Sequence, residues 1–282
     1  MKTYLLIAVW VFLFSCQGKQ SASEAKEEVK LEREITALSF QKIIDTAGVN
    51  GSILIYDLNH DQYYSNDFDW ANKGNLPAST FKIANSIIAL ETGVVENDST
   101  LFKWNGEKRW LKSWEQDLIF KEAFHFSCVP CYQEVARKIG AGRMNEYLNK
   151  FSYGNIQVHA ENIDMFWLEG TSRITQFQQI DFLKRFYQPE LPIAPRTKEI
   201  MKDMMVMEEN EEYKLSGKTG WSISEGKDNG WFVGYIELEN NTWFFATNVE
   251  PGKEFDMNDF PKVRKEITFR ALEQMGIMKP GK

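Results

Sequence analysis

Leu76-Pro77-Ala78-Ser79-Thr80-Phe81-Lys82-Ile83 is the most informative segment of this chain. Ser79 and Lys82 stand three apart, and on a helix residues at that spacing share a face and touch. A serine hydroxyl is a weak nucleophile at neutral pH unless a base lies against it. At the first turn of a helix the pair brings nucleophile, base and the positive helix N-terminus together. Ile83, Ala84, Ile87 and Ile88 recur on one side, Pro77 suits the entry and Gly93 is a natural stop, so a helix is expected to run from this segment. A bare Ser-x-x-Lys is common in proteins, and its meaning depends on the remaining sequence.

Upstream, residues 52–57 alternate in the manner of a strand and lead into the turn-like Asn59-His60-Asp61. Residues 80–210 read mostly as helices. The clearest has Tyr132, Val135, Ala136 and Ile139 on one face and is stopped by Gly140. Strands return at 214–222, 230–238 and 242–249, the last two flanking the hairpin turn Glu239-Asn240-Asn241, and a final helix is expected over 261–275. Strands near both ends with helices between them predict an α+β fold. One antiparallel sheet is formed by both chain ends and flanked by helices, with an inserted, mainly helical subdomain. A site in such a fold lies between the sheet and the helical part.

The chain has 282 residues, 43% of them hydrophobic and 26% charged, which is ample for a globular core. A net charge of -7 and no clustered basic stripe argue against a nucleic-acid partner. The N-terminus reads as an export signal over 1–15, with Lys2 as the positive residue and an apolar run over 4–14. It ends in Leu13-Phe14-Ser15-Cys16, which resembles a bacterial lipobox although Phe14 is bulky for it. The expectation is a lipidated Cys16 that tethers an exported, periplasmic protein to the membrane; the alternative is a simple cleaved signal. Residues 16–34 read as a charged tether and 35–282 as a single catalytic domain. Cys128 and Cys131 are expected to be two buried thiols, because a disulfide between positions three apart is disfavoured on a regular helix. His60, His125 and His159 are scattered, so neither a metal site nor a Ser-His-Asp triad is expected.

A second signal is Lys218-Thr219-Gly220 on a predicted strand, where Gly217 and Gly220 keep the edge bare for a substrate backbone. Ser-x-x-Lys, Ser-Asp-Asn and Lys-Thr-Gly in order mark serine beta-lactamases and penicillin-binding proteins. Here the middle position holds Ser127-Cys128-Val129-Pro130 before a helix, and a helix cap is the other reading of that serine.

Taken together, Ser79-Thr80-Phe81-Lys82, Ser127-Cys128-Val129, Tyr153-Gly154-Asn155, Trp167-Leu168-Glu169-Gly170 and Lys218-Thr219-Gly220 make the chain resemble a class D serine beta-lactamase, an oxacillinase, over residues 51–275. The resemblance implies that Ser79 attacks the lactam carbonyl and becomes acylated. The backbone N–H groups of Ser79 and Trp221 would form the oxyanion hole. Lys82 would be N-carboxylated by carbon dioxide or bicarbonate, which requires a desolvated, neutral amine among Val129, Trp167 and Leu168. That carbamate would be the base for acylation and deacylation, with the Trp167 indole N–H as its donor. Ser127 would pass a proton to the departing nitrogen, tuned by Lys218. Thr219 and Arg264, beside the bare Gly220, would hold the substrate carboxylate. Tyr153-Gly154-Asn155 would shape the site wall, and Glu169 would have no catalytic role. Two related readings acylate without turnover: a beta-lactam-sensing domain and a penicillin-binding transpeptidase. Neither the substrate spectrum nor the oligomeric state is legible in the sequence.

Overall fold

The computed structural model describes residues 33–280, so the expected export signal, Cys16 and all but the end of the expected tether lie outside the described residues. Nine strands are described: β1 (Glu34–Thr36), β2 (Val49–Asp57), β3 (Gln62–Ser65), β4 (Leu101–Phe102), β5 (Leu118–Ile119), β6 (Val206–Glu209), β7 (Lys214–Ser224), β8 (Lys227–Glu237) and β9 (Thr242–Pro251). Seven of them form one sheet in the order β1-β3-β2-β9-β8-β7-β6, so strands from the two ends of the chain meet at β2–β9. β4 and β5 form a separate small ladder.

The sheet is antiparallel except at one edge, where β1 runs parallel to β3 with Glu34 opposite Tyr63. The expected antiparallel sheet is thus present, with this one parallel edge pair as its exception. Tight turns enforce antiparallel pairing, but β1 connects to β2 through a helix and is free of that constraint.

The helices are α1 (Leu38–Ala47), α2 (Phe68–Asn72), α3 (Lys82–Glu91), α4 (Phe120–His125), α5 (Val129–Ile139), α6 (Ala141–Phe151), α7 (Gln176–Tyr187), α8 (Pro195–Met205) and α9 (Phe260–Gln274). Among the described residues no helix is long and apolar enough to cross a membrane. Alternate side chains of a strand point to opposite faces. Ile53 and Ile55 accordingly join Phe232 and Phe245 beneath α1 and α9, whereas Leu54, Tyr56, Val233, Tyr235 and Phe244 belong to the core shared with the helical segment. Helix α3 lies inside that second core, with every residue from Lys82 to Leu90 buried. A helix buried on all sides carries no solvent stripe. It is therefore a rigid post for whatever sits at its N-terminus.

The cysteine expectation is corrected, since Cys128 and Cys131 form a disulfide with their Cα atoms 5.4 Å apart. A disulfide at this spacing is disfavoured only where both residues lie inside a regular helix. Cys128 is instead the N-cap of α5 (φ -55°, ψ 98°), and this non-helical backbone brings its sulfur over the first turn.

Candidate active site

Chain entry into α3 is unusual. Ala78 has φ 50°, a left-handed conformation that non-glycine residues seldom adopt, and a 3-10 turn over Ala78–Phe81 precedes the α-helix. Several bonds hold the turn in place. The Ala78 N–H donates to the Trp167 carbonyl at 2.8 Å. The Leu76 carbonyl accepts from Asn229 Nδ2 at 2.8 Å and from Trp231 Nε1 at 2.8 Å. Local strain of this kind persists only where the surroundings over-determine it.

The turn brings Ser79 and Lys82 together as the spacing predicted. Lys82 Nζ donates to Ser79 Oγ at 3.0 Å, both residues being buried. Burial pulls the Lys82 amine down to about 7 from its ordinary 10.5. Desolvation disfavours the charged form of a lysine, and here it leaves a fraction of neutral amine at physiological pH. The Tyr132 ring lies 5.0 Å from Nζ. The Trp167 indole is wholly buried and stacks on Phe81, with ring centroids 5.7 Å apart. Its Nε1–H has no acceptor among the described residues. A buried indole donor normally has a partner. The Ser79 turn is thus backed by a desolvated amine and, against Phe81, by an indole whose donor is unsatisfied.

Ser127 occupies the link between α4 and α5. It also adopts a left-handed conformation, φ 52°, and its Oγ accepts a hydrogen bond from Lys218 Nζ. The helix-cap reading of Ser127 fails, because the cap is Cys128. Lys218 is held well below its ordinary value by its own burial first, then by the nearby charges of Lys82 and Arg264.

β7 brings Lys218, Thr219, Gly220 and Trp221 past Ser79. β6 pairs with β7 only as far as Ser216, so the Lys218 to Gly220 stretch forms an open sheet edge, as Gly217 and Gly220 implied. A Cβ on Gly220 would lie 3.2 Å from Ser79 N and 3.2 Å from the Ala78 Cβ, so the absence of a side chain permits the close approach. Arg264 reaches the cleft from α9. It is buried, donates to the Gly220 carbonyl and to the Phe260 carbonyl, and is pulled down to about 10 by burial. A Cβ on Gly230 would sit 2.7 Å from Arg264 Cδ, so this glycine makes room for the arginine.

The cleft encloses about 440 Å³, with Ser79, Ser127, Val129, Thr219, Trp221 and Arg264 among its lining. A second, apolar hollow of about 330 Å³ adjoins it, lined in part by Val129, Met165, Leu168 and Ile223. Arg264, whose guanidinium keeps its charge at neutral pH, makes one end of the cleft cationic. Such a site can activate a serine, stabilise an oxyanion and receive a carboxylate beside an apolar group.

One expectation shifts in detail. Tyr153 packs edge-on against Phe81 at 5.8 Å and supports the Ser79 turn from behind, away from the cleft. Glu169 is exposed at the rim of the apolar hollow. Sequence reasoning missed Trp110, His125, Phe126 and Met207, all of which line the cleft. Trp110 carried a signal, being a large aromatic in the charged stretch Lys108-Arg109-Trp110. In the structure it is 74% exposed and flanked by Trp114 and Trp221. His125 lies at the mouth, held below its ordinary value by burial and then by Lys218 and Lys121.

The sequence model of the penicillin-binding protein transpeptidase domain matches residues 34–273. Beta-lactamase OXA-48 of Klebsiella pneumoniae is 40% identical over 228 residues, which is 81% of this chain and 84% of that protein. A class D beta-lactamase structure from Nostoc is 43% identical with a TM-score of 0.81, covering 85% of this chain and 99% of its own. The class D enzyme FUS-1 (OXA-85) from Fusobacterium nucleatum subsp. polymorphum is 36% identical with a TM-score of 0.82, covering 87% and 100%.

Proposed function

The chain belongs to the class D beta-lactamases of the penicillin-binding transpeptidase family, and from that membership we propose that it hydrolyses beta-lactams through an acyl-enzyme on Ser79. The observation that carries this reading is the Lys82–Ser79 contact at 3.0 Å around an amine pulled down to about 7 by burial. A serine is activated when its proton has somewhere to go within hydrogen-bond reach.

When carboxylated with carbon dioxide, Lys82 supplies an anionic base for the acylation and deacylation half-reactions. Trp167 Nε1–H and Ser79 Oγ are the groups that would hold it, a reading supported by the orphaned indole donor. Ser79 Oγ attacks the lactam carbonyl as its proton leaves. The N–H groups of Ser79 and Trp221 receive the oxyanion, and the bare Gly220 next to Ser79 supports that pairing. One such donor contributes about 3–4 kcal/mol to the transition state. Ser127 then delivers a proton to the departing nitrogen. Its bond to Lys218, whose hold on its proton is weakened by burial, gives the hydroxyl a route for recovering that proton. Arg264 and Thr219 orient the substrate carboxylate at the cationic end of the cleft. The apolar hollow beside Val129 and Leu168 receives the uncharged part of the substrate.

The test is pre-steady-state turnover of a chromogenic beta-lactam, with and without added bicarbonate, followed by intact mass. Sustained turnover that rises with bicarbonate is expected. A single burst ending in a stable Ser79 adduct would replace hydrolysis with sensing or transpeptidation. Export with lipidation at Cys16 completes the proposal. Labelled fatty acid should enter the wild-type chain and not the Cys16→Ala variant.

A further inference from the structure

Cys128 and Cys131 bracket Val129, and Cys128 directly follows Ser127. Their disulfide therefore closes around Val129, one wall of the cleft, and fixes the residue directly after the Ser127 hydroxyl. The link between α4 and α5 is very short. The Ser127 N–H donates to the Phe124 carbonyl at 3.1 Å and the Cys128 N–H to the Ala123 carbonyl at 2.9 Å, so Cys128 is tied by its backbone to the end of α4. Its side chain is tied to the first turn of α5, by the disulfide and by the Cys131 N–H, which lies 3.3 Å from Cys128 Sγ. Pro130 sits in that same turn and contributes no N–H. Ser127 stands directly before this doubly tied residue, in a left-handed conformation that a serine leaves readily when released.

We propose that the Cys128–Cys131 disulfide is a redox-responsive clamp that positions Ser127 for proton delivery to the departing nitrogen. The proposal rests on the reading of Ser127 given above. Cys128 is 1% exposed and Cys131 is only partly buried, so an external dithiol reaches Cys131 first. Its thiolate attacks Cys131 Sγ, a mixed disulfide forms, the Cys128–Cys131 bond breaks, and Cys128 leaves as a thiolate. A sulfur at the N-cap of an 11-residue helix is a good leaving group, because the helix N-terminus and the Cys131 N–H stabilise its charge. The second thiol of the reductant then attacks the mixed disulfide. Cys131 is released, the reductant becomes a disulfide, and its two protons pass to the two cysteines. In the open form Ser127 loses its fixed orientation towards Lys218, while Ser79 and Lys82, on a different element, keep theirs.

The effect belongs to acylation, in which the lactam nitrogen departs, and not to deacylation, in which no nitrogen leaves. The protein is treated anaerobically with a dithiol, desalted, and assayed with a chromogenic beta-lactam by stopped flow; alkylation and intact mass count the free thiols. Opening of the pair is expected to lower the acylation rate constant about tenfold, less than the roughly 10²–10⁴-fold that a positioned proton donor supplies because Ser127 is loosened and not removed, while deacylation stays within about twofold. Reoxidation restores the wild type. The doubly substituted Cys128→Ser, Cys131→Ser chain stays slow under both conditions. Two alkylated thiols with unchanged acylation would overturn the proposal, as would a pair that refuses alkylation in the native protein. An equal fall in both rate constants would also overturn it, by showing general loosening. Should the variant fail to fold, the reduced wild type still decides the question. Absence of turnover in the oxidised protein would sink the hydrolase reading instead.

Discussion

Lys82 pays for its chemistry in protonation. The unfolded chain holds its proton up to about 10.5, whereas the folded chain releases it near 7. Between those values the unfolded state binds more protons, so stability rises with pH through that window. The penalty is complete below 7 and fades as the pH climbs towards 10.5. Replacing Lys82 with Met, which needs no proton balance, should therefore stabilise the protein by about 2 kcal/mol or more at neutral pH. The gain should shrink as the pH is raised. Denaturant melts at two pH values read this directly, and an equal gain at both would contradict a neutral buried amine. The same amine sets the acid limb of activity, so kcat/KM of the wild type should rise as the pH passes through about 7. Trp167 offers a second test. Trp167→Phe keeps an aromatic ring against Phe81 and removes the orphaned donor. The expected result is a rate that needs about tenfold more bicarbonate for saturation, roughly the loss of one hydrogen bond to an anion. A bicarbonate titration identical to wild type would remove the indole from this role. Ser79, Lys82 and Lys218 were legible in the sequence because serine activation constrains residue type and spacing. His125 was not, since a side chain that merely lines a wall follows no spacing rule.

The decisive elements are β7 and the 3-10 turn, whose separation is set by Gly220. Ala at this position would place Cβ 3.2 Å from Ser79 N, from the Ala78 Cβ and from Thr80 Cγ2 at once. All three neighbours belong to the 3-10 turn, which cannot easily give way. Gly220→Ala should lower kcat/KM about a hundredfold by spreading the oxyanion donors, at a stability loss of about 1–3 kcal/mol from overpacking. Steady-state kinetics beside a denaturant melt separate the two effects. Wild-type kinetics would mean that β7 does not supply a donor at this distance. The element boundaries show which local rules were readable. The β8–β9 hairpin follows from its turn residues, and α3 from its apolar run. The 3-10 start of that helix does not, because it is enforced from outside by the Trp167 carbonyl and by the two donors on Leu76. The disulfide was misread for the same reason, since its geometry depends on a cap conformation that propensity does not specify.

Across the molecule, the reaction cleft lies where the helical segment meets a sheet made from both chain ends, and a buried polar network joins the two. Asn248 on β9 is fully buried. Its Oδ1 accepts from Trp70 Nε1 at 3.0 Å and from Asn75 Nδ2 at 2.9 Å, and its Nδ2 donates to Asn229 Oδ1 at 2.7 Å. Asn229 in turn holds the Leu76 carbonyl at the entry to the Ser79 turn. One side chain thus connects the segment before α3, strand β8 and strand β9. The α+β architecture was legible because hydrophobic alternation near both ends and helical spacing between them allow few layered arrangements. This network was not, because isolated asparagines in a sequence look like turn residues until the chain ends are brought together. Asn248→Ala leaves the indole of Trp70 and the amide groups of Asn75 and Asn229 without their partner. Buried groups stripped of a partner lose about 1–3 kcal/mol. For a domain of this size the midpoint of thermal unfolding should fall by about 2–12 °C. If the network also positions the nucleophile, the fraction of folded protein that acylates should turn over more slowly as well. Active-site titration with a slowly released beta-lactam, run beside the melt, separates these outcomes. A lower midpoint with unchanged turnover per acylating site would confine Asn248 to holding the two halves together. A fall in both would trace a physical path from the meeting of the chain ends to the geometry of Ser79.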